Sequence, residues 1–380
     1  MAFPARAPID IAAVDALVFR APIDVPVLAS FGRMDARPMV LVRIEDRDGA
    51  VGWGEVWCNF PSCGAEHRAK LVTSLFKPLL AGRRFEGPAA SFEFLTSRLH
   101  VLAIQTGEPG PIAQCIAGID VALWDLAARR AGLPVWRLLG GGTGAIRVYA
   151  SGLNPDGPEL LAAQKRAEGH TRFKLKIGFD AGRDLDNLRR LRATLGSAAT
   201  LMVDANQAWD PPTARERVAA LDGFALGWLE EPLAADVPWA EWQRLAATTS
   251  IPLAAGENVM GFDGFDAALA AGAVRIVQPD LAKWGGFTGC VRVARAAVAA
   301  GRRFCPHYLG GGWGLRASAH LLAAVGGDGV LEVDANPNPL RTLLCGPLAK
   351  IVDGASALDD SAGLGAPPDL DALREFAAAA

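Results

Sequence analysis

The sequence predicts an α/β fold in which a closed parallel barrel follows a smaller α+β domain. From residue 176 to residue 332, a titratable side chain recurs every 23 to 28 residues, each time at the end of a short β-like segment. That interval is the length of one strand, one helix and two short loops. The seven residues are Lys176, Asp204, Glu230, Glu257, Asp280, His307 and Glu332. Before this region, strand-like segments come first and helix-like segments follow, which is typical of an α+β domain.

The amino-terminal region supplies the α+β domain. Residues 40–45 and 50–57 flank the turn residues 46–49, which is a hairpin signal. Helical patterns follow, and the amphipathic run 111–130 ends close to Gly132, a predicted C-cap.

The barrel is predicted from Ala145 onward. Residues 146–150 form a first strand, and the seven segments with charged ends make eight. Helical stretches separate them, such as residues 185–195, whose leucines recur at intervals of 3, 3 and 4 on one face. Strands that alternate with helices indicate a parallel sheet, and eight of them indicate a closed barrel. We place the domains at residues 1–138 and 139–344, with residues 345–380 as a tail that packs back on the first domain.

Composition excludes several classes of protein. The 380 residues include 38 basic and 41 acidic side chains, with a formal charge of −3 and no basic tract, so we expect no nucleic-acid partner. No apolar signal core begins the chain, and no uncharged apolar run reaches about 18 residues. We therefore expect a soluble cytoplasmic protein that does not contact membranes. The six cysteines have no CxxC spacing and are expected to be buried thiols.

Three acidic residues predict a metal site. Asp204, Glu230 and Glu257 end three successive strands, so their carboxylates should lie side by side at the barrel mouth. Three bare carboxylates within a few ångströms repel each other unless a cation lies between them. Ligation by oxygen alone favours Mg²⁺, with Mn²⁺ as the alternative. Any one of these acids, taken singly, would more simply be a solvated loop residue or the partner of an arginine.

Basic side chains are predicted on both sides of this cluster. Lys174 and Lys176 share one face of a strand, because side chains repeat every second residue. A lysine close to another cation is more easily deprotonated and can act as a base. On the other side, Asp280 and His307 end adjacent strands, which allows the carboxylate to orient the imidazole and raise its basicity. The alternatives are two exposed lysines on an edge strand and a loop histidine with a structural hydrogen bond.

A base on each face of a metal-bound carboxylate suits abstraction of the proton α to that carboxylate. At these residues the chain resembles the mandelate racemase subgroup of the enolase superfamily, over nearly its whole length. The segments that carry the resemblance are IDVALWDL at 119–126, FKLKIG, VDANQAW, WLEEP, AAGEN, VQPDLAKWGG and the CPH that ends at His307. Together they are highly specific. The resemblance implies a (β/α)7β barrel, similar to a TIM barrel, whose mouth is closed by the amino-terminal capping domain.

The resemblance also implies roles for individual residues. The implied general bases are Lys176 on one face and His307, paired with Asp280, on the other. The implied Mg²⁺ ligands are Asp204, Glu230 and Glu257. Lys174, Asn206 and Glu332 are expected near the substrate carboxylate, and Glu231 is expected to point away. In the related muconate lactonizing and dipeptide epimerase branches a catalytic lysine takes the place of Asp280, so a two-lysine mechanism is disfavoured here. Lys283 aligns with a lysine that is not a base, and we expect it beside the substrate.

Two loops of the capping domain set specificity in this family, and here they correspond to residues 27–37 and 57–65. We expect Phe31, Arg33, Trp57 and Asn59 to face the substrate. A cationic, amide-bearing lid of this kind would suit a polar, anionic substrate. The alternative is that the aromatic residues of the second loop only pack the lid against the barrel.

The implied reaction is Mg²⁺-dependent abstraction of a proton α to a carboxylate, giving a metal-stabilised enediolate. Dehydration of an acid sugar or related hydroxy acid is the commoner outcome in this subgroup, so we expect a carbon–oxygen lyase. The alternatives are a racemase or epimerase of an α-substituted carboxylic acid, and a barrel that binds metal and ligand without turnover. The expected partners are a small-molecule carboxylate and, by family analogy, further copies of the chain in a homo-oligomer of two to eight subunits.

Overall fold

An antiparallel sheet begins the chain in the computed structural model, which describes residues 7–378. The ends of the predicted domains at residues 1–6 and 379–380 lie outside the described residues. The sheet contains β1 (Ile9–Ala29), β2 (Gly32–Asp46) and β3 (Val51–Val56), and β1 also pairs with β4 (Arg84–Phe85). In the hairpin of β2 and β3, Val40 lies opposite Val56 and Glu45 lies opposite Val51. The predicted hairpin is confirmed.

Helices cover this sheet. They are α1 (Gly64–Leu71), a π-helical turn (Val72–Phe76), α2 (Lys77–Leu80), α3 (Pro88–Thr106), α4 (Pro109–Arg130) and α5 (Val135–Leu138). α4 lies directly on β3, so closely that a Cβ added at Gly54 would stand 1.9 Å from the Gly118 carbonyl oxygen. Beyond the end of α4, Gly132 has φ of +63°, which favours glycine and agrees with the predicted C-cap.

α4 is also the one helix in the described part of the chain that could span a membrane by length and hydropathy. However, 89% of its apolar window is buried inside the fold. It is therefore a core helix, which packs on the capping sheet on one side and on the barrel on the other.

Eight parallel strands form the second sheet. They are β5 (Ala145–Leu153), β6 (Arg172–Lys176), β7 (Thr200–Asp204), β8 (Leu229–Glu230), β9 (Leu253–Ala255), β10 (Val274–Val277), β11 (Arg303–Phe304) and β12 (Leu331–Asp334). One helix separates each strand from the next: α6 (Pro158–Ala167), α7 (Ala181–Leu195), α8 (Pro211–Leu221), α9 (Trp239–Ala246), α10 (Gly261–Ala271), α11 (Gly286–Ala299) and α12 (Gly312–Val325). The strand order is β11-β10-β9-β8-β7-β6-β5-β12. Strand and helix count agree with the predicted (β/α)7β barrel.

The barrel is filled rather than hollow below its mouth. A cluster of buried side chains occupies its interior, namely Tyr149, Met202, Trp228, Ala254, Ile276, Cys305 and Val330. This packed layer closes the barrel from below, so the polar site can open only toward the capping domain. On the outside, Leu188, Leu191 and Leu195 of α7 are buried against the strands, as their spacing predicts.

The carboxyl-terminal tail contacts both domains. After α13 (Pro339–Leu344), β13 (Ala355–Ala357) pairs with β5 of the barrel, and β14 (Ala377–Ala378) then pairs with β1 of the capping sheet. The tail therefore returns to the first domain in two places: the backbone N–H of Leu364 donates to Oδ1 of Asp125 in α4 (2.7 Å), and β14 pairs with β1.

A buried carboxylate anchors the capping domain to the barrel. Asp120 of α4 accepts hydrogen bonds from the Thr288 hydroxyl (2.6 Å) and the Thr288 backbone N–H (3.0 Å) at the start of α11. Burial raises the pKa of Asp120 to about 7, even though these hydrogen bonds oppose the increase. The two domains thus meet through a carboxyl group that is largely shielded from water.

Candidate active site

The charged residues that recur along the barrel lie together at its mouth. In the strand register, Lys176 lies beside Asp204, and Asp204 lies beside Glu230. Side chains in register on neighbouring parallel strands point to the same side of the sheet. One correction applies to the other acids and bases: Glu257, Asp280 and His307 lie two or three residues beyond the ends of β9, β10 and β11, on loops.

Lys174 occupies the centre of the site and is fully buried. Its Nζ lies 2.6 Å from Oε1 of Glu230, 2.8 Å from Oε1 of Glu332 and 3.7 Å from Oδ2 of Asp204. Burial lowers the pKa of Lys174, but the charges of Glu230 and Glu332 outweigh this and raise it well above its ordinary value. Lys174 is therefore a fixed positive charge among three acids.

Lys176 lies one layer nearer to the mouth. Its Nζ donates to Oδ2 of Asp204 (2.6 Å) and to Oδ1 of Asn206 (2.8 Å). Burial lowers the pKa of Lys176 and the charge of Asp204 raises it, with a net increase. The positive charge of Lys174 acts in the opposite direction to Asp204. The protonation of Lys176 therefore depends on how strongly Asp204 is engaged elsewhere.

His307 and Asp280 form a buried pair on the other side of the site. Nδ1 of His307 lies 2.8 Å from Oδ2 of Asp280, and because a carboxylate accepts, Nδ1 carries the hydrogen. Nε2 then faces Oε2 of Glu257 at 3.4 Å and Oε2 of Glu332 at 3.8 Å. Burial lowers the pKa of His307, but the charges of Glu257 and Glu332 and the hydrogen bond to Asp280 raise it to about 10. The predicted pairing of Asp280 with His307 is present.

Lys283 pairs with Glu257, the third predicted metal ligand. Its Nζ lies 3.0 Å from Oε2 of Glu257 and donates to Oδ1 of Asn258 (2.6 Å). Burial raises the pKa of Glu257, but the charges of His307 and Lys283 outweigh this and hold it well below its usual range. Nζ of Lys283 also lies 4.9 Å from the centre of the Trp57 ring, which joins the lid to the barrel mouth.

Two consecutive glutamates, Glu230 at the end of β8 and Glu231 directly after it, face different neighbours. Oε1 of Glu230 accepts from Lys174, and Oε2 accepts from the Trp228 indole (3.0 Å) and the Gln278 amide (2.7 Å). The expectation that Glu231 points away is wrong. Its carboxylate is buried and accepts from Nδ2 of Asn258, and burial together with the charges of Glu257 and Asp204 raises its pKa well above the ordinary value.

The donor set at the mouth fits a divalent cation. Among the described residues, no three acid, histidine or cysteine groups form a ready-made cage, because each carboxylate is paired with a hydrogen-bond donor or cation. The total charge is nevertheless unbalanced, since six carboxylates face only three ammonium groups and one imidazole. The carboxylates are Asp204, Glu230, Glu231, Glu257, Asp280 and Glu332, and the bases are Lys174, Lys176, Lys283 and His307. A buried excess of negative charge carried by oxygen atoms is the environment that Mg²⁺ prefers.

A cavity of about 200 Å³ opens above these residues. Its floor includes Lys176, Asn206, Glu257, Lys283 and His307, so the two predicted bases line the same space. They come from β6 and from the loop after β11, with the strands of the three predicted metal ligands between them in the sheet. Lys174, Asp204, Glu230 and Glu332 lie below this floor.

The capping domain forms the roof of the cavity. The predicted lid residues Phe31, Trp57 and Asn59 line it, together with Val27, Leu28, Ala29, Met34 and Phe60 of the same domain and Leu309 of the barrel. The prediction for Arg33 is wrong, because its guanidinium pairs with Asp35 (2.7 Å) on the exposed surface and does not line the cavity. Arg37 of the same loop is buried and pairs with Asp334.

The lid is fastened to the barrel by hydrogen bonds to its loops. The Ser30 hydroxyl donates to the carbonyl oxygens of Ala205 (3.1 Å) and Asn206 (2.9 Å). Nδ2 of Asn59 donates to the Leu309 carbonyl oxygen (2.7 Å), two residues after His307. Both lid segments therefore contact the loops that carry the charged residues.

Some residues at the site were not predicted from the sequence. Asn258 binds Glu231 and Lys283, and Gln207 accepts from the Ala235 backbone N–H (2.8 Å) at the rim. Each follows a predicted site residue directly, in the GEN and DANQ segments, and that adjacency is the signal that could have indicated them. Nothing in the sequence singled out Met34 or Leu309.

Comparison with known proteins agrees with this geometry. Residues 13–140 match the amino-terminal domain of the mandelate racemase / muconate lactonizing enzyme family, and residues 159–372 match the enolase C-terminal domain-like family. A mandelate racemase/muconate lactonizing enzyme from Bordetella bronchiseptica RB50 is 58% identical, with a TM-score of 0.93 over 97% of this chain and 100% of that chain. A racemase from Streptomyces coelicolor A3(2), solved with bound magnesium, is 29% identical, with a TM-score of 0.86 over 97% and 100% of the two chains.

Several relatives are named for sugar-derived acids or their lactones. D-galactarolactone cycloisomerase of Agrobacterium fabrum is 34% identical over 93% of this chain and 95% of its own length. L-talarate/galactarate dehydratase of Salmonella typhimurium is 34% identical over 68% of this chain and 64% of its own length. The matches cover both domains, and the chain belongs to the enolase superfamily as a mandelate racemase/muconate lactonizing enzyme-like protein.

Proposed function

We propose that this protein binds a small carboxylic acid together with Mg²⁺ and removes the proton from its α carbon. One observation carries the proposal most directly: Lys176 and His307, two groups able to transfer protons, line one cavity above a cluster of buried carboxylates. An α proton next to a carboxylate is only weakly acidic, so its removal requires both a positioned base and stabilisation of the charge that develops.

Asp204, Glu230 and Glu257 are the residues that would hold the Mg²⁺ ion. When bound, the ion supplies positive charge that favours ionisation of the substrate next to its carboxylate. Lys174 and Glu332 lie at the same end of the site, joined at 2.8 Å. Lys174 adds a fixed cation for the substrate carboxylate, and Glu332 balances that cation when the substrate is absent.

The chain offers two bases with different supports. Lys176 becomes a base when its proton is lost, which the charge of Lys174 favours and the charge of Asp204 opposes. His307 is held by Asp280 so that Nε2, the nitrogen without the Asp280 contact, is directed toward Glu257 and Glu332. Each base therefore has a fixed orientation and one nitrogen, Nζ of Lys176 or Nε2 of His307, through which it can exchange a proton with the substrate.

We propose dehydration of a hydroxy acid as the overall reaction. Lys176 takes the α proton, and the protonated imidazole of His307 gives its proton to the departing β hydroxyl, so that water leaves and a carbon–carbon double bond forms. Several relatives are named as dehydratases of galactarate, arabinonate and galactonate, which supports a lyase that acts on sugar-derived acids.

Racemisation or epimerisation is the second candidate. The observation that favours it is the same pair of bases, because one can remove the proton and the other can return it to the opposite face. A neighbour described as a racemase supports this alternative, and relatives named as cycloisomerases share with it only the broader class of isomerase. Both candidates share the first step.

The test is α-proton exchange in D₂O with Mg²⁺, followed by proton NMR across a set of hydroxy acids. Lys176→Ala and His307→Asn should each abolish turnover and keep Mg²⁺ binding, whereas Lys350→Ala, at an exposed position, should behave as the unchanged protein. Dehydration yields a keto acid, and racemisation yields the other stereoisomer. Full activity in both variants would refute the two-base mechanism. We also propose a homo-oligomer, which sedimentation analysis would test.

A further inference from the structure

The cavity has two chemically different ends. Its floor carries the charged residues, whereas the roof is built from apolar side chains of the capping domain and of the loop after His307. The roof residues are Val27, Leu28, Ala29, Phe31, Met34, Trp57, Phe60 and Leu309. Met34 and Val27 are buried, and the Phe31 and Phe60 rings meet edge to face at 5.2 Å. A substrate whose carboxylate lies on the floor must therefore place its far end against hydrocarbon.

Three amide side chains at the cavity each use at least one amide atom in a hydrogen bond within the protein. Asn59 donates to the Leu309 carbonyl oxygen, Gln207 accepts from the Ala235 backbone N–H, and Asn206 contacts Asp204 and Lys176. These bonds hold the lid and the loops in place. Oδ1 of Asn59 and Nε2 of Gln207 make no hydrogen bond within the described residues, so two uncharged polar atoms remain for substrate hydroxyl groups and neither can neutralise a carboxylate.

The cations of the region are already paired, and the one that reaches the roof, Lys283 at 4.9 Å from the centre of the Trp57 ring, is held by Glu257. The two lysines that line the cavity, Lys176 and Lys283, are bound to Asp204 and Glu257 on the floor. Arg33 pairs with Asp35 outside the cavity, and Arg37 pairs with Asp334. No arginine is among the described residues that line the cavity. A second carboxylate at the far end of a substrate would therefore meet apolar side chains and no unpaired cation, and whatever water it loses there is not replaced by an ionic partner, which is unfavourable.

From these contacts we infer that the substrate is a monocarboxylic hydroxy acid whose far end is apolar and uncharged, such as a methyl-terminated or aryl-substituted acid. The inference rests on the proposed function, because it assumes that the floor binds a carboxylate. Galactarate carries a carboxylate at both ends, so this chain differs in substrate from the relatives named for galactaric acid derivatives. Burial of a methyl or aryl group against the roof supplies the hydrophobic part of the binding energy.

Four acids test the inference. Galactonate, 6-deoxygalactonate and galactarate differ at one end only, where they carry a hydroxymethyl, a methyl and a carboxylate group, and mandelate carries an aryl group. Calorimetry with saturating Mg²⁺ should show that 6-deoxygalactonate or mandelate binds at least tenfold more tightly than galactarate. Equal or tighter binding of galactarate would overturn the inference, and so would the absence of binding by all four acids.

The same samples separate this inference from the proposed function. If the acids bind in the expected order but none exchanges its α proton in D₂O, the pocket chemistry is supported and the proposed function fails. If galactarate exchanges its α proton fastest and binds most tightly, the proposed function is supported and the inference fails.

Variants of the roof provide the second test. Met34→Arg places a cation in the roof and should reduce the preference against galactarate at least tenfold. Ala29→Arg does the same from a partly exposed position, which keeps the test available if the buried variant does not fold. Val25→Arg is the matched control, because Val25 is 56% exposed and lies outside the cavity, and it should leave the preference unchanged. An unchanged preference in folded Met34→Arg or Ala29→Arg would contradict the inference.

Discussion

Replacement of Asp280 with asparagine should disable one of the two bases and leave the other intact. Oδ1 of Asp280 accepts from the backbone N–H groups of Ala282 (2.8 Å) and Lys283 (3.2 Å), and an amide oxygen can keep both bonds. The change therefore falls on Oδ2, which faces Nδ1 of His307 at 2.8 Å. An amide N–H at that position meets the N–H of the imidazole, and the two donors cannot bond to each other.

The expected decrease in the exchange rate follows from the loss of the hydrogen bond between Asp280 and His307. A hydrogen bond to a charged group contributes about 1.5–3 kcal/mol, which corresponds to roughly 10- to 150-fold in rate. To accept from the new amide, His307 must move its hydrogen to Nε2, which removes the lone pair that would take a proton from the substrate. Loss of the Asp280 charge also lowers the pKa of His307, because that charge is one of the groups that raise it. We therefore expect about 100-fold slower exchange through His307.

Exchange through Lys176 should change less than about threefold, because the direct contacts of Lys176 are with Asp204 and Asn206, not Asp280. The assay follows the loss of the α proton from each enantiomer of an accepted acid in D₂O by proton NMR, with saturating Mg²⁺. Asp263→Asn, at an exposed position, controls for the loss of one negative charge. Equal slowing of both enantiomers, or no slowing of either, would refute the assignment of one base to each face.

Three further predictions concern the metal, the domain interface and pH. Glu230→Gln should weaken Mg²⁺ binding at least tenfold, as measured by calorimetry. Glu231→Gln should weaken it less, because Glu230 is the residue in strand register with Asp204. A larger loss of Mg²⁺ affinity in Glu231→Gln would show that Glu231 is the ligand instead. Glu55→Gln should lower the free energy of unfolding by about 2 kcal/mol. The reason is that the Glu55 carboxylate of the capping domain accepts from the backbone N–H groups of Gly311 (2.5 Å) and Gly314 (2.8 Å) in the barrel. An unchanged denaturation midpoint would contradict this role of Glu55. Burial raises the pKa of Asp120 to about 7, above the value of 3.8 expected without burial, so the folded chain keeps a proton that the unfolded chain releases. The contribution of Asp120 to the free energy of unfolding is therefore fully present below about pH 4 and is lost as the pH rises to about 7. The size of this contribution is at most about 4 kcal/mol. Asp120→Asn should reduce the difference in stability between pH 5 and pH 7, measured by urea denaturation, and an unaltered difference would contradict the role of Asp120.

The barrel could be predicted from the sequence because its signal is repeated. Each βα unit contributes one titratable side chain, and the strand-to-strand register then places Lys176, Asp204 and Glu230 side by side. The pairing of Asp280 with His307 follows from the same regularity, even though both residues lie beyond their strands. Local periodicity thus sets which residues meet at the mouth.

Glu231 could not be placed in this way, for a physical reason. Alternation along a strand would direct it away from Glu230, but its φ is +39°, outside the extended region in which alternation holds. The turned backbone leaves its carboxylate among the charges of Glu257 and Asp204. A single left-handed residue therefore adds one more acid beside the three predicted metal ligands.

The chemistry of the lid was misjudged from the sequence because composition does not specify partners. The loop at 27–37 contains two arginines, which predicted a cationic roof. Arg33 finds Asp35 two residues later on the surface, and Arg37 finds Asp334 almost three hundred residues away in sequence. Both charges are thereby removed from the cavity, and the apolar residues between them line it.

The most direct test of the proposed function is incorporation of deuterium from D₂O at the α carbon of a hydroxy acid, measured with and without Mg²⁺. We predict that deuterium enters only when both the protein and Mg²⁺ are present, that chelation of the metal stops it and that added Mg²⁺ restores it. Exchange that continues at the same rate after chelation, or no exchange with any acid of a broad panel, would contradict Mg²⁺-dependent proton abstraction at this site.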